Sequence, residues 1–388
     1  MVRALRKALA ALLVLWSTHV PAQPMQIMGY LGWWLPDAWR HLPLNEIDRL
    51  HFFELAVQAD GTIPQRHGWP DAWSSLQEAA QRNGTAIDLA LTLFRIQDFN
   101  VLFGSDAHTA NFMATCRELL NHPAVGGLQL DFELEGGWNP EAHTRFQAFV
   151  VSLSEEARNR LPAKQLSVFY QTQYNPNLYS VDALRRLDFM VLQGYDTHFG
   201  GSKRAGPVAP LRGSDVLTWE SAWAHTQGIG IDPAKLIYGF PLYGYEWRTR
   251  SGQSRADATE GSTVTFARVS EWLLPDILSS VTARVQTAGG TLDPATGSSY
   301  YLVKDGKNWV VGWYEDWWSL SQKIEFLTRN QAGGISFFLL GYDAGQLVRH
   351  AIHQRGPRTM DSFLERWTDH RPFVPATPAP PLANRAGK

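Results

Sequence analysis

At 388 residues, 44% of them hydrophobic and 19% charged, the chain can bury a large core and is neither disordered nor fibrous. A net charge of -2 removes the electrostatic case for nucleic acid or membrane lipid as a partner. The 16 Trp are unusual; flat rings serve a core or stack on sugar faces, and composition does not choose between these.

At the N-terminus Arg3, Arg6 and Lys7 precede an apolar run over residues 8–16, and Val20-Pro21-Ala22 supplies small residues before a cut. Residues 1–22 therefore read as a signal peptide, with an uncleaved anchor as the alternative. The run is too short to span a bilayer, so no membrane association is expected once it is removed. An exported chain whose one cysteine is Cys116 has no internal disulfide, which fits a bacterial periplasmic or extracellular protein. Cys116 lies on a predicted helix and reads as a small core residue.

A first strand is predicted over residues 26–31, followed by Gly32-Trp33-Trp34, and a second over 50–55, closed by Ala59-Asp60-Gly61. A helix over 73–82 stops at Gly84, and the third strand spans 86–94. Residues 109–120 are helical, 125–133 form the fourth strand, 141–160 a long helix and 165–171 the fifth strand. A short helix over 181–186 leads to the sixth strand at 187–195. A helix over 214–226 precedes the seventh strand at 235–242, and one over 320–328 precedes the eighth at 334–340. Eight β-prone runs alternating with helices predict an α/β fold, a closed (β/α)8 TIM barrel over residues 26–350. The long gap at about 248–318, with a hairpin at 300–311, reads as an insertion between the seventh and eighth strands on the catalytic face. Residues 351–371 are a C-terminal extension, and 372–388, rich in Pro and Ala, a disordered tail. No glycine-rich phosphate loop follows a strand, and the 12 His show no close metal spacing, so no metal or other cofactor is expected.

The centre of the chain is Val125-Gly126-Gly127-Leu128-Gln129-Leu130-Asp131-Phe132-Glu133. Its period of two puts Gln129, Asp131 and Glu133 on one face of a strand. Two acids leaving the C-terminal end of a strand occupy the place where a parallel barrel holds its chemistry.

These residues resemble the glycoside hydrolase family 18, or chitinase-like, signature D-G-x-D-x-D-x-E. Three further stretches resemble that family in the same order: Gln193-Gly194-Tyr195-Asp196, the run from Tyr238 through Tyr243 to Trp247, and Gly333-Gly334-Ile335-Ser336-Phe337-Phe338. The resemblance implies hydrolysis of β-linked N-acetylhexosaminides with retention, the substrate's own acetamido group acting as nucleophile. It makes Glu133 the general acid/base, Asp131 the carboxylate that orients the acetamide, and Tyr195 a donor to the acetamide oxygen. Trp247 and Phe338 would lie under the reacting sugar. The substrate-binding set is Gln129, Gln193, Asp196, Tyr30, Trp33, Trp34, Glu54, Trp138, Gln171, Tyr243, Trp247 and Phe338. An oligosaccharide or polysaccharide is the expected partner, and the protein is read as a monomer. Trp317-Trp318 are expected to pack the insertion onto the barrel.

Five places depart from the family pattern. Gly126 stands for the first Asp of the signature, Gln129 for the second, Tyr245 for the seventh-strand Arg, Phe338 for the last-strand Trp, and Leu91-Thr92-Leu93-Phe94 for the third-strand S-x-G-G. A neutral amide at 129 can hydrogen-bond Asp131 but cannot share a proton with it, so Asp131 is expected to be a more permanent carboxylate. Two alternatives stay open. One is a catalytically silent, lectin-like barrel; the other a hydrolase of acetamide-free glycans using Glu133 with Glu54, Asp196 or Glu246.

Overall fold

The computed structural model describes residues 24–267 and 279–356. The readings of residues 1–22 as a signal and of 372–388 as a tail lie outside them, as does most of the extension read at 351–371.

Eight parallel strands close a barrel in the order β1-β14-β7-β6-β5-β4-β3-β2. These are β1 (Gln26–Gly32), β2 (Arg49–Ala56), β3 (Ala86–Leu93), β4 (Val125–Phe132), β5 (Gln165–Tyr170), β6 (Phe189–Leu192), β7 (Leu236–Pro241) and β14 (Gly334–Phe338). Their outward residues, such as Leu89, Leu91, Leu128 and Leu130, are fully or almost fully buried under the surrounding helices. That double burial explains why most barrel strands read as apolar runs. The sixth strand ends three residues before the predicted limit, although the Gln193 N–H still bonds the Tyr170 carbonyl at 2.9 Å.

The helices are α1 (Ser74–Asn83), α2 (Ile96–Gly104), α3 (Asp106–Asn121), α4 (Pro140–Arg158), α5 (Val181–Arg186), α6 (Trp219–Gly228), α7 (Val281–Ala288), α8 (Trp317–Arg329) and α9 (Gln346–Arg355). Their ends follow local chemistry. Gly84 closes α1 at φ 64°, in the left-handed region. The Asn139 side chain accepts from the Glu141 and Ala142 N–H groups at the start of α4. The helix predicted from residue 214 begins only at Trp219, because Thr218 and Ser221 form a reciprocal capping box there. Helix α2 was not anticipated; it is short, and buries Phe99, Leu102 and Phe103.

The insertion read at about 248–318 carries a whole sheet, of which the predicted hairpin is two strands. Strands β8 (Tyr243–Thr249), β9 (Ala258–Thr265), β10 (Ser279–Ser280), β11 (Thr291–Asp293), β12 (Ser298–Asp305) and β13 (Asn308–Tyr314) form one sheet, ordered β10-β9-β8-β13-β12-β11. It starts directly after Leu242, so residues read as the end of a barrel motif belong to its first strand. A buried ion pair joins it to the barrel: Lys323 on α8 reaches Glu315, which also accepts from Ser298 Oγ at 2.7 Å. Trp317 packs edge-on against Phe266 (6.0 Å), as expected of it, whereas Trp318 is 69% exposed and packs nothing together.

Candidate active site

The site lies at the C-terminal ends of the barrel strands, and β4 supplies its centre. Pleating turns Gln129 and Asp131 into the barrel, 0% and 4% exposed, while Glu133 leaves the end of the strand half-buried. Burial, followed by the charge of Asp196, raises the Glu133 carboxyl to about 7. One Glu133 oxygen accepts a hydrogen bond from the Gln171 amide at 2.9 Å. That amide also reaches the Gln193 carbonyl oxygen at 3.2 Å, and Asn175 donates to Gln171 at 3.3 Å. The carboxyl is thus fixed on one oxygen, leaving the other to carry a proton.

Asp131 departs from expectation. Far from being a permanent carboxylate, it is pushed well above the usual carboxylate range by burial, then by the charges of Glu133 and Glu54. With Gln at position 129, the carboxylates whose charge reaches Asp131 are Glu133 and, from β2, Glu54. Oδ1 of Asp131 and both polar atoms of the Gln129 amide are buried without a hydrogen-bond partner among the described residues.

Asp196 follows β6 and sits at φ 62°, a left-handed backbone that turns its carboxylate across the cleft. The Tyr243 and Tyr245 hydroxyls donate to its Oδ1 at 2.7 and 3.1 Å. Tyr245, standing where the family pattern has Arg, was missed as a site residue; its alternation with Tyr243 on β8 was the available signal. Phe338 forms a half-buried platform packed by Tyr30 (5.4 Å), Phe53 (5.3 Å), Tyr195 (5.9 Å, 29° between planes) and Tyr243 (6.3 Å). Tyr195 itself is 7% exposed.

Other predicted positions divide. Trp33 remains 39% exposed and stacks on His67 (4.1 Å, 4°), while Trp34 packs edge-on to Phe53 (6.0 Å). Trp247, expected beneath the reacting sugar, is fully buried on β8 of the insertion sheet, one alternation beyond Tyr245 with that ring 5.9 Å away, and exposes no face to the cleft. Trp138 stacks on His143 of α4 (5.1 Å), and its ring contacts among the described residues do not include the cleft aromatics. Glu246 is unsuited to be a second catalytic carboxylate, since Arg284 pairs with it at 2.9 Å and the Tyr301 hydroxyl donates to it at 2.6 Å. Cys116 is buried in α3, its thiol pushed up by burial.

At the barrel floor, Arg49 pairs with Asp88, seated against Gly126 and Gly127. A Cβ at Gly127 would lie 2.9 Å from Asp88 Oδ1 and 2.4 Å from the Gln165 carbonyl, so the chain needs glycine there. An acid from β3 thus occupies the level at which the signature's first Asp is absent. Among the described residues no group of three His, Cys, Asp or Glu is placed to hold a metal ion.

The family model "Glycosyl hydrolases family 18" matches residues 92–343, which is 252 of the 388 positions and takes in every strand from β4 to β14. The chain belongs to glycosyl hydrolases family 18. Among curated relatives, a class V chitinase of Arabidopsis thaliana is 32% identical over 222 residues, covering 53% of this chain and 54% of that protein. The cortical fragment-lytic enzyme of Bacillus anthracis is 23% identical over 306 residues, 75% of this chain and 64% of the relative. Nod factor hydrolase protein 1 of Medicago truncatula is 27% identical over 173 residues, 43% and 42% respectively. The chain therefore spans between 42% and 64% of the length of these three. In fold it is similar to the Cycas revoluta GH18 chitinase solved with allosamidin, with TM-score 0.70 and 18% identity over 85% of this chain and all of that one. A chitinase-like agglutinin from Robinia pseudoacacia fits equally well, at TM-score 0.70, 18% identity, and 85% and 99% coverage. Likeness at this identity is one of fold, and that fold is shared by a chitinase and a chitinase-like agglutinin alike.

Proposed function

We propose that the protein is an exported glycosidase that cleaves β-linkages in an N-acetylhexosamine-containing glycan by a substrate-assisted, retaining route. The observation that carries this reading is Glu133: a half-buried carboxyl raised to about 7, held on one oxygen by Gln171. A general acid must still hold its proton near working pH and must point it at the leaving oxygen. Glu133 gives that proton to the glycosidic oxygen as the acetamido oxygen attacks the anomeric carbon and the C–O bond to the leaving sugar breaks. Asp131 accepts from the acetamide N–H and offsets the charge of the oxazolinium, and the Tyr195 hydroxyl donates to the acetamide oxygen. The Glu133 carboxylate then takes a proton from water, which opens the ring with overall retention.

The Phe338 platform supports an apolar sugar face below the reacting centre, and the Asp196 carboxylate between Tyr243 and Tyr245 supports a hydroxyl contact. Export rests on the basic and apolar N-terminal pattern, and fits a glycan substrate outside the bacterial cytoplasm. The agglutinin's likeness keeps the silent barrel as the second reading; Glu133 in its raised state speaks for the enzyme.

A panel decides between them: N-acetylglucosamine oligomers, peptidoglycan glycan strands and acetamide-free β-glucans, each with wild type and Glu133→Gln. Release from an acetamido substrate, at least about 100-fold lower in the variant and blocked by a thiazoline mimic of the oxazoline, is expected. Cleavage of acetamide-free glucans alone would point to a protein nucleophile. Sugar binding with no cleavage would favour the silent barrel.

A further inference from the structure

The pairing between β2 and β3 slips near the barrel mouth. Phe52 pairs with Leu89 and Leu55 with Leu91, so Phe53 and Glu54 together oppose Ala90 alone. This is a β-bulge, which re-aims a side chain that regular pleating would send elsewhere. Phe52 faces outward onto Trp69 and Trp73 (5.2 and 4.8 Å), and Phe53 faces inward onto Tyr30 and Phe338. The extra residue, Glu54, carries Oε2 into a buried position where it has no partner among the described residues.

Register fixes what lies at that level. Ala90 pairs with Gln129, Ala56 with Thr92, and Thr92 with Asp131. Ala90 presents only a methyl group between Glu54 and the Gln129–Asp131 face. Among the described residues, Thr92 Oγ1, the Tyr30 hydroxyl, both Gln129 amide atoms and Asp131 Oδ1 are buried without hydrogen-bond partners, like Glu54 Oε2. Buried polar atoms are rarely left so; of these groups only the carboxyls of Glu54 and Asp131 can pass a proton to one another, while the hydroxyls and the amide can hydrogen-bond to what lies between them.

We infer that Glu54 is the carboxylate with which Asp131 shares a proton, directly or through a water, in place of the aspartate that Gln129 replaces. Two carboxylates at close range hold one proton between them, which an amide at 129 cannot do. During turnover the proton stays within the pair: it sits on Glu54 while the ionised Asp131 receives the acetamide N–H, and returns when product leaves. Glu54 is thus a positioning residue acting through Asp131. The inference rests on the substrate-assisted reading above.

Of the other ionisable groups facing the pair, Glu133 acts most strongly on Asp131 and itself holds a proton up to about pH 7, whereas the phenols and the histidine do not compete. Tyr30 on β1, Tyr179 beyond β5 and Tyr195 after β6 are pushed well above the usual phenol range by burial. Deeper on β2, His51 is lowered to about 4 by burial, with Asp88 and Arg49 beside it. Glu133 and Asp196 add negative charge from β4 and β6, and among the described residues no ion pair joins a lysine or arginine to Glu54, Asp131 or Glu133.

The test is the pH dependence of kcat and KM on the acetamido substrate of the panel for wild type, Glu54→Gln, Gln129→Asp and the double variant, with thermal unfolding as a folding check. Glu54→Gln should lower kcat by about 10- to 100-fold with KM changed less than about threefold, and move the acid limb downward as Asp131 loses its like-charged neighbour. Adding Gln129→Asp to that variant should restore both. An unmoved acid limb, an effect on KM alone, or no rescue in a folded double variant would overturn the inference. Gln129→Asp alone keeps it testable should Glu54→Gln misfold. With Glu54 already the partner, it should not raise kcat; a rise of threefold or more would mean that position 129 had been the missing partner all along. Failure of wild type to cleave any acetamido glycan would instead sink the function proposed above.

Discussion

Glu133 holds its proton chiefly because the cleft withholds water from the charged form. The charge of Asp196 adds to that effect, and the Gln171 amide, which favours the carboxylate, opposes it. Each contribution has its own test in the alkaline limb of kcat/KM, expected near pH 7. Asp196→Asn should move that limb downward by removing a like charge, whereas Gln171→Leu should move it upward by removing a donor to the ionised form. Stability follows with a definite sign. The folded carboxyl binds its proton more tightly than the ordinary value of 4.5, so its burial costs nothing at low pH and progressively more as pH rises to about 7. Glu133→Gln should therefore raise the unfolding free energy at pH 8 by about 1–3 kcal/mol and leave it unchanged near pH 4, as thermal melts at the two pH values would show. Glu133 and Asp131 were legible in the sequence because period two alone puts them on one face. The pairing of Asp131 with Glu54 was not, because it depends on a bulge between two strands that no single-strand periodicity records.

At the scale of elements, the barrel strands were readable from apolar runs, and their helices from spacing and stop signals such as Gly84. The boundaries that slipped did so for local reasons: the capping box of Thr218 and Ser221 delayed α6, and β8 took Tyr243 and Trp247 out of the barrel. Trp247 matched a motif position, yet motif matching reports chain order, and burial within a second sheet depends on pairing with β9 and β13. That sheet is held to the barrel by Glu315 and Lys323, each fully buried. Replacing one partner strands the other charge in the core, so Lys323→Met should destabilise the fold by about 3–5 kcal/mol. The double change Glu315→Gln with Lys323→Met should recover much of that loss. Denaturant unfolding of the three chains measures both; a single variant as stable as wild type would show that the pair does not anchor the insertion.

For the molecule as a whole, the insertion completes a cleft that the barrel opens. Two tyrosines from β8 fix the Asp196 carboxylate, while Phe338 from β14 and Tyr195 from the end of β6 form its floor. Fold and acid were therefore legible together, while the electrostatic setting of the site emerged only from closure of the barrel. The account stands or falls on the nucleophile. The most direct measurement is kcat across a series of N-acyl substrates in which the acetamide methyl carries zero to three fluorines, with the aglycone held constant. If the substrate's own amide oxygen attacks, each fluorine weakens it and kcat should fall steeply and monotonically. A flat series would place the nucleophile on the protein, or on water, and contradict the substrate-assisted mechanism.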